Sequence, residues 1–152
     1  MNILSPIEYE DAEPEVRAVY DEIRAARKTT AINNFWKTLA HDPVLLQLKW
    51  KAVRAAMAPG QIDSLTKELI YMAVGVSHGN DYALRTHLAA ARAKGLTDAM
   101  YAEFMAVVQL AAGNVALING LGIELDAHLK PGAPTNNTVA STSDKHVRGE
   151  HA

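Results

Sequence analysis

Cysteine is absent from this chain of 152 residues. Without a thiol the protein forms no disulfide, binds no metal through a thiolate and runs no reaction on a cysteine nucleophile. Every thiol redox mechanism is therefore excluded, whatever the fold. A function for this protein therefore has to rest on side chains other than cysteine.

Aromatic residues are also scarce, at 6% of the chain, although apolar residues together reach 49%. Alanine supplies much of that apolar fraction. Because alanine is small, it favours close packing of helices but buries little area, so a single copy of the chain would have a thin core. We therefore expect the protein to form a homo-oligomer.

Strong charge and obvious targeting segments are lacking too. The net charge of −2 gives no electrostatic case for nucleic acid, so we expect no nucleic-acid partner. The first residues lack the basic region and the long apolar stretch of a secretory signal. We also count no apolar run of the roughly 18 residues that span a bilayer. These absences predict a cytoplasmic protein with no membrane partner.

Apolar residues recur at helical spacing along most of the chain, and no stretch alternates at period two for long enough to form a strand. The sequence therefore predicts an all-α fold. Prolines, caps and glycines set the expected helix limits. The predicted helices begin near Ala12–Glu15 and then cover residues 34–39, 44–57, 64–76, 82–94, 97–112 and 115–128, with the last two separated at Gly113-Asn114.

The composition changes sharply after Lys130, where proline, glycine, serine, threonine, asparagine and charged residues dominate. Such a segment has almost nothing to bury, so it cannot offset the entropy lost on ordering. We predict one helical domain over residues 1–130 and a disordered or loosely held tail over residues 131–152.

One group of residues in the middle of the chain points to chemistry. Glu68 lies early on the central helix, turn formers break that helix at residues 78–82, and His87 lies on the next helix. Glu68 is about three turns before the break and His87 about two turns after it, so they can face each other across a helical hairpin. A carboxylate and an imidazole in a partly buried pocket can exchange protons, and we expect burial to raise the pKa of Glu68.

Each of these residues also has a purely structural interpretation. Glu68 can be an exposed first-turn glutamate that complements the helix dipole, and His87 a core or interface histidine with a satisfied ring. His78 and Asp81 can serve as turn or cap residues. A metal held by Glu68, His78 and His87 is another alternative. Because no compact ligand spacing such as His-x-x-x-His is present, we expect no metal.

Five segments and one histidine form a recognisable pattern along the chain. They are Asn34–Pro43, Thr66–Val74, Gly79–Ala83, His87, Ala89–Thr97 and Met105–Val108. This pattern resembles the core signature of the carboxymuconolactone decarboxylase family. The resemblance covers roughly residues 10 to 128 and implies a multi-helical fold of the alkylhydroperoxidase D type with a central helical hairpin. Because members of that family form trimers or hexamers, it also implies such an oligomer here.

The alkylhydroperoxidase D branch of this family carries a glutamate, a Cys-x-x-Cys pair and a histidine at fixed spacing. Glu68 and His87 fall on its glutamate and histidine, whereas Asn80 and Ala83 occupy the two cysteine positions. In that branch the glutamate and histidine relay protons to and from the cysteines, a purpose that this chain has lost. The decarboxylase branch shares the fold without needing the pair and works on small lactone acids by acid–base chemistry.

The resemblance therefore implies a cysteine-free enzyme that transfers protons on a small organic acid, in a decarboxylation, an isomerisation or a lactone reaction. Glu68 or His87 would be the base, and Asn80 would donate a hydrogen bond. Arg85 is a candidate anchor for a substrate carboxylate, since guanidinium groups bind such anions. No cofactor is implied. The other candidates for substrate contact are His78, Tyr82, Ala83 and Trp36.

Two other interpretations stay open at this point. The protein can be a family member that has lost the redox pair and binds a ligand or a partner protein through alanine-rich helix faces, without catalysis. Deliberate replacement of the cysteines is a further explanation, although asparagine at position 80 is an unusual choice for it. A thiol peroxidase is excluded under all of these interpretations.

Overall fold

A computed structural model describes residues 3–132, which form six α-helices and one short 3₁₀ helix and contain no strand. The predicted all-α fold is confirmed. The predicted tail lies, from residue 133 onward, outside the described residues. The helices are α1 (Pro14–Arg27), α2 (Asn34–Leu39), α3 (Pro43–Met57), α4 (Ser64–Ser77), α5 (Asp81–Ala93) and α6 (Asp98–Leu121), followed by the 3₁₀ helix Ala127–Leu129.

Short polar side chains fix where three of these helices begin. Asp42 accepts a hydrogen bond of 3.0 Å from the backbone N–H of Leu45 at the start of α3, and Asp63 caps α4 in the same manner. At α5, Asn80 Oδ1 accepts from the backbone N–H of Ala83 at 2.9 Å. Such caps satisfy amides that the first helical turn leaves free. The break between α4 and α5 is therefore set by Asn80, which caps α5.

Helices α4 and α5 pack together as the central hairpin, and their backbones come close at Gly75. A Cβ atom built on Gly75 would lie 3.2 Å from the backbone nitrogen of Leu84 and 3.6 Å from Ala83 Cβ. Met72 and Ala91 are fully buried near this contact, and Leu96 completes the small cluster. Glycine at position 75 therefore lets the two helices that carry Glu68 and His87 come close.

We expect Gly75→Ala to lower the free energy of unfolding by about 1–2 kcal/mol. Alanine gains about 0.5–1 kcal/mol of helix propensity, but overpacking against backbone costs about 1–3 kcal/mol. Gly113→Ala is the matched control, because the nearest atom to its added Cβ is 3.9 Å away on the Gln109 side chain. Chemical denaturation at one protein concentration measures both. Equal or greater stability of the Gly75 variant would contradict the close approach.

A second cluster of buried side chains joins α1, α2 and α3. Tyr20, Ile23 and Leu46 are almost fully buried there. The rings of Trp36 and Trp50 meet edge to face with centroids 5.6 Å apart, a favoured aromatic geometry. These are the only tryptophans of the chain. Both tryptophans thus lie in this cluster beside α1.

Helix α6 departs from two expectations. It runs from Asp98 to Leu121 without a break at Gly113-Asn114, because one glycine costs a helix interior only about 0.5–1 kcal/mol and good helix formers surround it. It is also long and apolar enough to cross a membrane, with a mean hydropathy of 1.6 over its most apolar window. The prediction that the chain has no apolar run long enough to span a bilayer is therefore wrong. Core helices of soluble proteins can have the same length and composition.

By its internal contacts the chain divides into two compact units, one up to Met105 and one from Ala106 onward. The first contains α1–α5, the beginning of α6 and both buried clusters. In the second, the described residues are mostly exposed and include many large apolar side chains. The predicted single domain over residues 1–130 stays a prediction. The exposed apolar residues of this part of α6 are Val107, Leu110, Val115, Leu117, Ile118 and Leu121.

Candidate acid–base site

The structure brings Glu68 and His87 together across the central hairpin. Glu68 Oε2 lies 2.6 Å from His87 Nδ1, a short distance that is typical of a charge-assisted hydrogen bond. Glu68 is only 4% exposed, whereas the His87 side chain retains 19% of its accessible surface. The structural alternative of an exposed first-turn glutamate is therefore wrong. Their catalytic roles stay predictions.

Lys94, at the end of α5, binds the second oxygen of the same carboxylate. Its Nζ donates to Glu68 Oε1, so both oxygens of the buried carboxylate are occupied. Lys94 follows His87 by seven residues, which is about two helical turns, and therefore lies on the same face of α5. A buried carboxylate with two cationic or polar donors is stable as an anion, since its lone pairs and its charge are both satisfied.

The pKa of Glu68 moves in the direction opposite to the expected one. Burial alone raises it, but the hydrogen bonds from His87 and Lys94 and the positive charges of these groups together outweigh burial, and the pKa is lowered. The expectation of a raised value is wrong because it counted desolvation and overlooked Lys94. Glu68 is therefore ionised at neutral pH, and we assign the shared proton to Nδ1 of His87.

The lowered pKa of Glu68 predicts a pH dependence of stability. Because the folded value lies below the ordinary 4.5, the carboxylate stabilises the folded protein above that pH, and the contribution is lost as the pH falls below it. We expect the free energy of unfolding of Glu68→Gln to decline less steeply than that of the natural chain between neutral pH and about pH 3. Identical pH profiles would contradict the ionised, doubly bonded carboxylate.

Tyr71 holds the imidazole of His87 from one side. The two rings are stacked with centroids 3.8 Å apart and an interplanar angle of 16°. Tyr71 follows Glu68 by three residues on α4, so it lies on the neighbouring part of the same helix face. Within residues 3–132, Nε2 of His87 makes no hydrogen bond. The ring is thus fixed by Glu68 and Tyr71, and Nε2 is the nitrogen left for another molecule.

Three predicted contact residues lie at the beginning of α5 or close to it. Asn80 uses its Oδ1 as the helix cap, and its role as a hydrogen-bond donor to a substrate stays a prediction. Ala83 lies one turn before His87 on the same face. Tyr82 accepts a hydrogen bond of 3.0 Å from the backbone N–H of Phe35 and so connects α5 to α2.

The other three are engaged elsewhere. Arg85 binds Asp81 at 2.7 Å and is largely exposed; it stands two residues before His87, about 200° away around the helix. The His78 ring bonds the backbone oxygen of Val74 at 3.0 Å, at the exposed end of α4. Trp36 is only 2% exposed and packs against Trp50. None of them makes a hydrogen bond to Glu68 or His87 in the part of the chain that the structure describes.

Sequence reasoning missed Lys94, Tyr71 and a third neighbour, Arg27. The guanidinium of Arg27, at the end of α1, lies 5.5 Å from the centroid of the Trp36 ring. Partial burial lowers the pKa of Arg27, and the negative charge of Glu68, with that of Tyr82 and Tyr71 at the high pH where they are ionised, partly offsets the decrease. Helical spacing from Glu68 and His87 would have indicated Tyr71 and Lys94. Nothing in the sequence indicated Arg27, which is distant in the chain.

The metal alternative has no support from side-chain placement. Among the described residues, no three histidine, aspartate or glutamate side chains come together, and His78 does not join Glu68 and His87. Two surface depressions border the end of α1 and the segment before it, and neither is lined by Glu68 or His87. Glu68 is buried and His87 is half-buried, and both lie outside these two depressions.

Comparison with known proteins agrees with this fold. The crystal structure of the alkylhydroperoxidase AhpD core from Rhodospirillum rubrum is 41% identical in sequence and superposes with a TM-score of 0.80 over 83% of this chain and 95% of that chain. No curated protein matches. The model of the carboxymuconolactone decarboxylase family matches residues 45–130, which contain α4, α5 and the whole acid–base site. The chain therefore belongs to the carboxymuconolactone decarboxylase family, as a member that lacks the cysteine pair.

Proposed function

We propose that this protein transfers protons on a small organic acid and that His87 Nε2 is the proton acceptor. One observation carries the proposal: Nδ1 of His87 is held at 2.6 Å from a buried glutamate while Nε2 is left without a partner among the described residues. Histidine exchanges a proton near neutral pH, and the partner of one ring nitrogen sets the role of the other. Glu68 is then a positioning residue.

Glu68 itself is a poor candidate for the base. Both of its oxygens accept hydrogen bonds, from His87 and Lys94, and its pKa is lowered by them despite burial. A carboxylate in that state has little tendency to take a further proton. It can instead keep the imidazole in one tautomer and stabilise the imidazolium that forms when Nε2 accepts a proton, as buried carboxylates do in catalytic triads.

The same arrangement serves two of the reaction classes that the family resemblance implies, isomerisation and decarboxylation. In an isomerisation, the imidazole removes a proton from a carbon beside a carbonyl and returns it to a different carbon. In a decarboxylation, the carbon–carbon bond breaks, carbon dioxide leaves, and the imidazolium protonates the carbon that keeps the electron pair. Both need a proton carrier with a fixed ring and one free nitrogen. The lyase class and the cytoplasmic location stay predictions.

A solvent-exchange experiment tests the proposal without knowledge of the natural substrate. A carboxylated γ-butyrolactone is incubated with the protein in heavy water, and loss of the proton signal beside the carbonyl is followed by NMR. Deuterium incorporation faster than in the protein-free sample, together with its loss in Glu68→Gln, is the expected result. If no lactone acid or simple carboxylic acid in a small set exchanges faster with the protein than without it, the proposal fails.

The second candidate function is a binding protein without turnover, formed as a helical oligomer. It is favoured by the exposed apolar side chains of α6, such as Val107 and Leu110, because large exposed apolar areas commonly mark contacts with another protein. A homo-oligomer, predicted as a trimer or hexamer, is compatible with either function. Binding of an organic acid with no exchange of its protons favours this second function.

A further inference from the structure

Arg27 differs from every other arginine in the part of the chain that the structure describes. Within residues 3–132 its guanidinium makes no ion pair and no hydrogen bond. It lies over the aromatic faces of Trp36 and Trp50, 5.5 Å and 5.9 Å from their centroids. Each of the other five has a polar partner, and the pairs are Arg17 with the Glu10 carbonyl, Arg24 with Asp21, Arg54 with Glu22, Arg85 with Asp81, and Arg92 with Asp98.

The surroundings of Arg27 connect it to the acid–base pair. The guanidinium of Arg27 lies over the ring of Trp36. The residue before Trp36, Phe35, donates its backbone N–H to Tyr82 Oη at 3.0 Å. Tyr82 is in the first turn of α5, the helix that carries His87. The Glu68 carboxylate, which binds His87, acts electrostatically on Arg27.

The balance of charge at this place favours an anion. Arg27 and Lys94 supply two positive charges, and Glu68 supplies the one negative charge of the pair, which leaves a positive charge in excess while His87 is neutral. Lys94 already binds the carboxylate of Glu68. Arg27 is therefore the cation whose hydrogen-bond donors are unused within residues 3–132. A guanidinium held within about 6 Å of two aromatic rings by cation–π attraction is also partly pre-oriented, so it loses less freedom on binding.

We propose that Arg27 binds the carboxylate of the substrate on which His87 acts, through two parallel N–H···O hydrogen bonds. This inference rests on the proposed function only where it places the reacting carbon of the substrate at His87. Binding of a carboxylate by Arg27 does not depend on it. It replaces Arg85 as the carboxylate anchor, because Arg85 already binds Asp81 and lies on another side of α5. Arg27 thus selects substrates that carry an acid group.

Tryptophan fluorescence tests the inference directly, since both tryptophans of the chain lie under Arg27. The purified protein is titrated with acetate, succinate and a carboxylated γ-butyrolactone, and with the methyl ester of each. We expect a saturable change in emission with at least one acid and a much weaker response to its ester. Arg27→Gln raises the dissociation constant about 10- to 100-fold, the size of a lost charged hydrogen-bond pair. Arg27→Lys should raise the dissociation constant by an intermediate amount, because lysine keeps the positive charge but cannot form the two parallel hydrogen bonds.

Arg54→Gln is the matched control. It also removes a cation near Trp50, 5.7 Å from the ring centroid, but one that is already paired with Glu22 at 3.3 Å. We expect it to bind the acids as the natural chain does. The inference is overturned if Arg27→Gln binds as tightly as the natural chain, if acid and ester bind equally, or if no acid in the set binds. Circular dichroism confirms that each variant keeps its helices.

The outcomes separate this inference from the proposed function. If Arg27 binds the acid but His87 transfers no proton, the natural chain binds the acid without exchanging its protons. Arg27→Gln then loses acid binding. If His87 exchanges protons but Arg27 is not the anchor, exchange occurs with the same KM in Arg27→Gln and in the natural chain. The first outcome supports the inference alone, and the second supports the proposed function alone.

Discussion

Replacing His87 with glutamine is expected to lower the rate of proton exchange on a lactone acid about 100- to 10,000-fold, the range that one general base contributes. Glutamine is similar in reach and can still donate a hydrogen bond to Glu68, but its amide cannot accept a proton near neutral pH. The helical circular dichroism spectrum should therefore be unchanged. The measurement is the exchange rate in heavy water at several substrate concentrations, so that kcat and KM are obtained separately.

His41→Gln is a suitable control for this substitution. The His41 ring lies just after α2 and bonds the backbone oxygen of Ser5 at 2.8 Å, and it makes no hydrogen bond to the Glu68–His87 pair. We expect its exchange rate to match that of the natural chain. A His87 variant that exchanges protons as fast as the His41 variant would remove His87 from the reaction and leave the binding function as the better account.

Placing the cysteine pair of the thiol branch in this chain is expected to create an activity that it lacks altogether. In Asn80→Cys/Ala83→Cys the two thiols stand at the first turn of α5, and position 83 is one turn from His87. A thiolate there attacks a hydroperoxide, which breaks the O–O bond and gives a sulfenic acid and an alcohol. The second thiol then displaces water to form a disulfide, which an added dithiol reduces. Peroxide consumption by the folded variant measures this gain.

The equivalent pair at the start of α3 is the matched control. Asp42 and Leu45 have the same relation as Asn80 and Ala83, with the first side chain capping the amide of the second. Asp42→Cys/Leu45→Cys therefore supplies two thiols at a helix beginning but no neighbouring glutamate–histidine pair. Both variants lose a cap that is worth about 1 kcal/mol. Equal peroxide consumption by the two would show that the relay geometry around His87 contributes nothing.

The fold was largely predictable because local signals determine most of it. Helices α1 to α5 begin and end close to the predicted residues, since Pro14, Asp42, Asp63 and Asn80 mark their starts in the sequence. The break predicted at Gly113-Asn114 was wrong because a local signal was given too much weight there. A glycine is a helix stop only where the chain has to turn, and the apolar residues on both sides of Gly113 continue one helix.

The site was predictable only as far as helical spacing reaches. The facing of Glu68 and His87 followed from counting turns across a hairpin, and the same counting from His87 leads to Lys94. The direction of the Glu68 pKa did not follow, because it depends on a competition between burial and two partners. Arg27 comes from a helix far away in sequence, and its position beside Trp36 is a result of tertiary packing that no periodicity encodes.

The central claim is that Glu68 fixes His87 with its proton on Nδ1 and with Nε2 free to accept another. The most direct test is ¹⁵N NMR of the imidazole in the natural chain, with the His87 signals assigned by comparison with His87→Gln. In the neutral ring, the chemical shifts and long-range proton couplings should show a protonated Nδ1 and an unprotonated Nε2, and Glu68→Gln should weaken that preference. A ring that carries its proton on Nε2 in the natural chain would contradict the account.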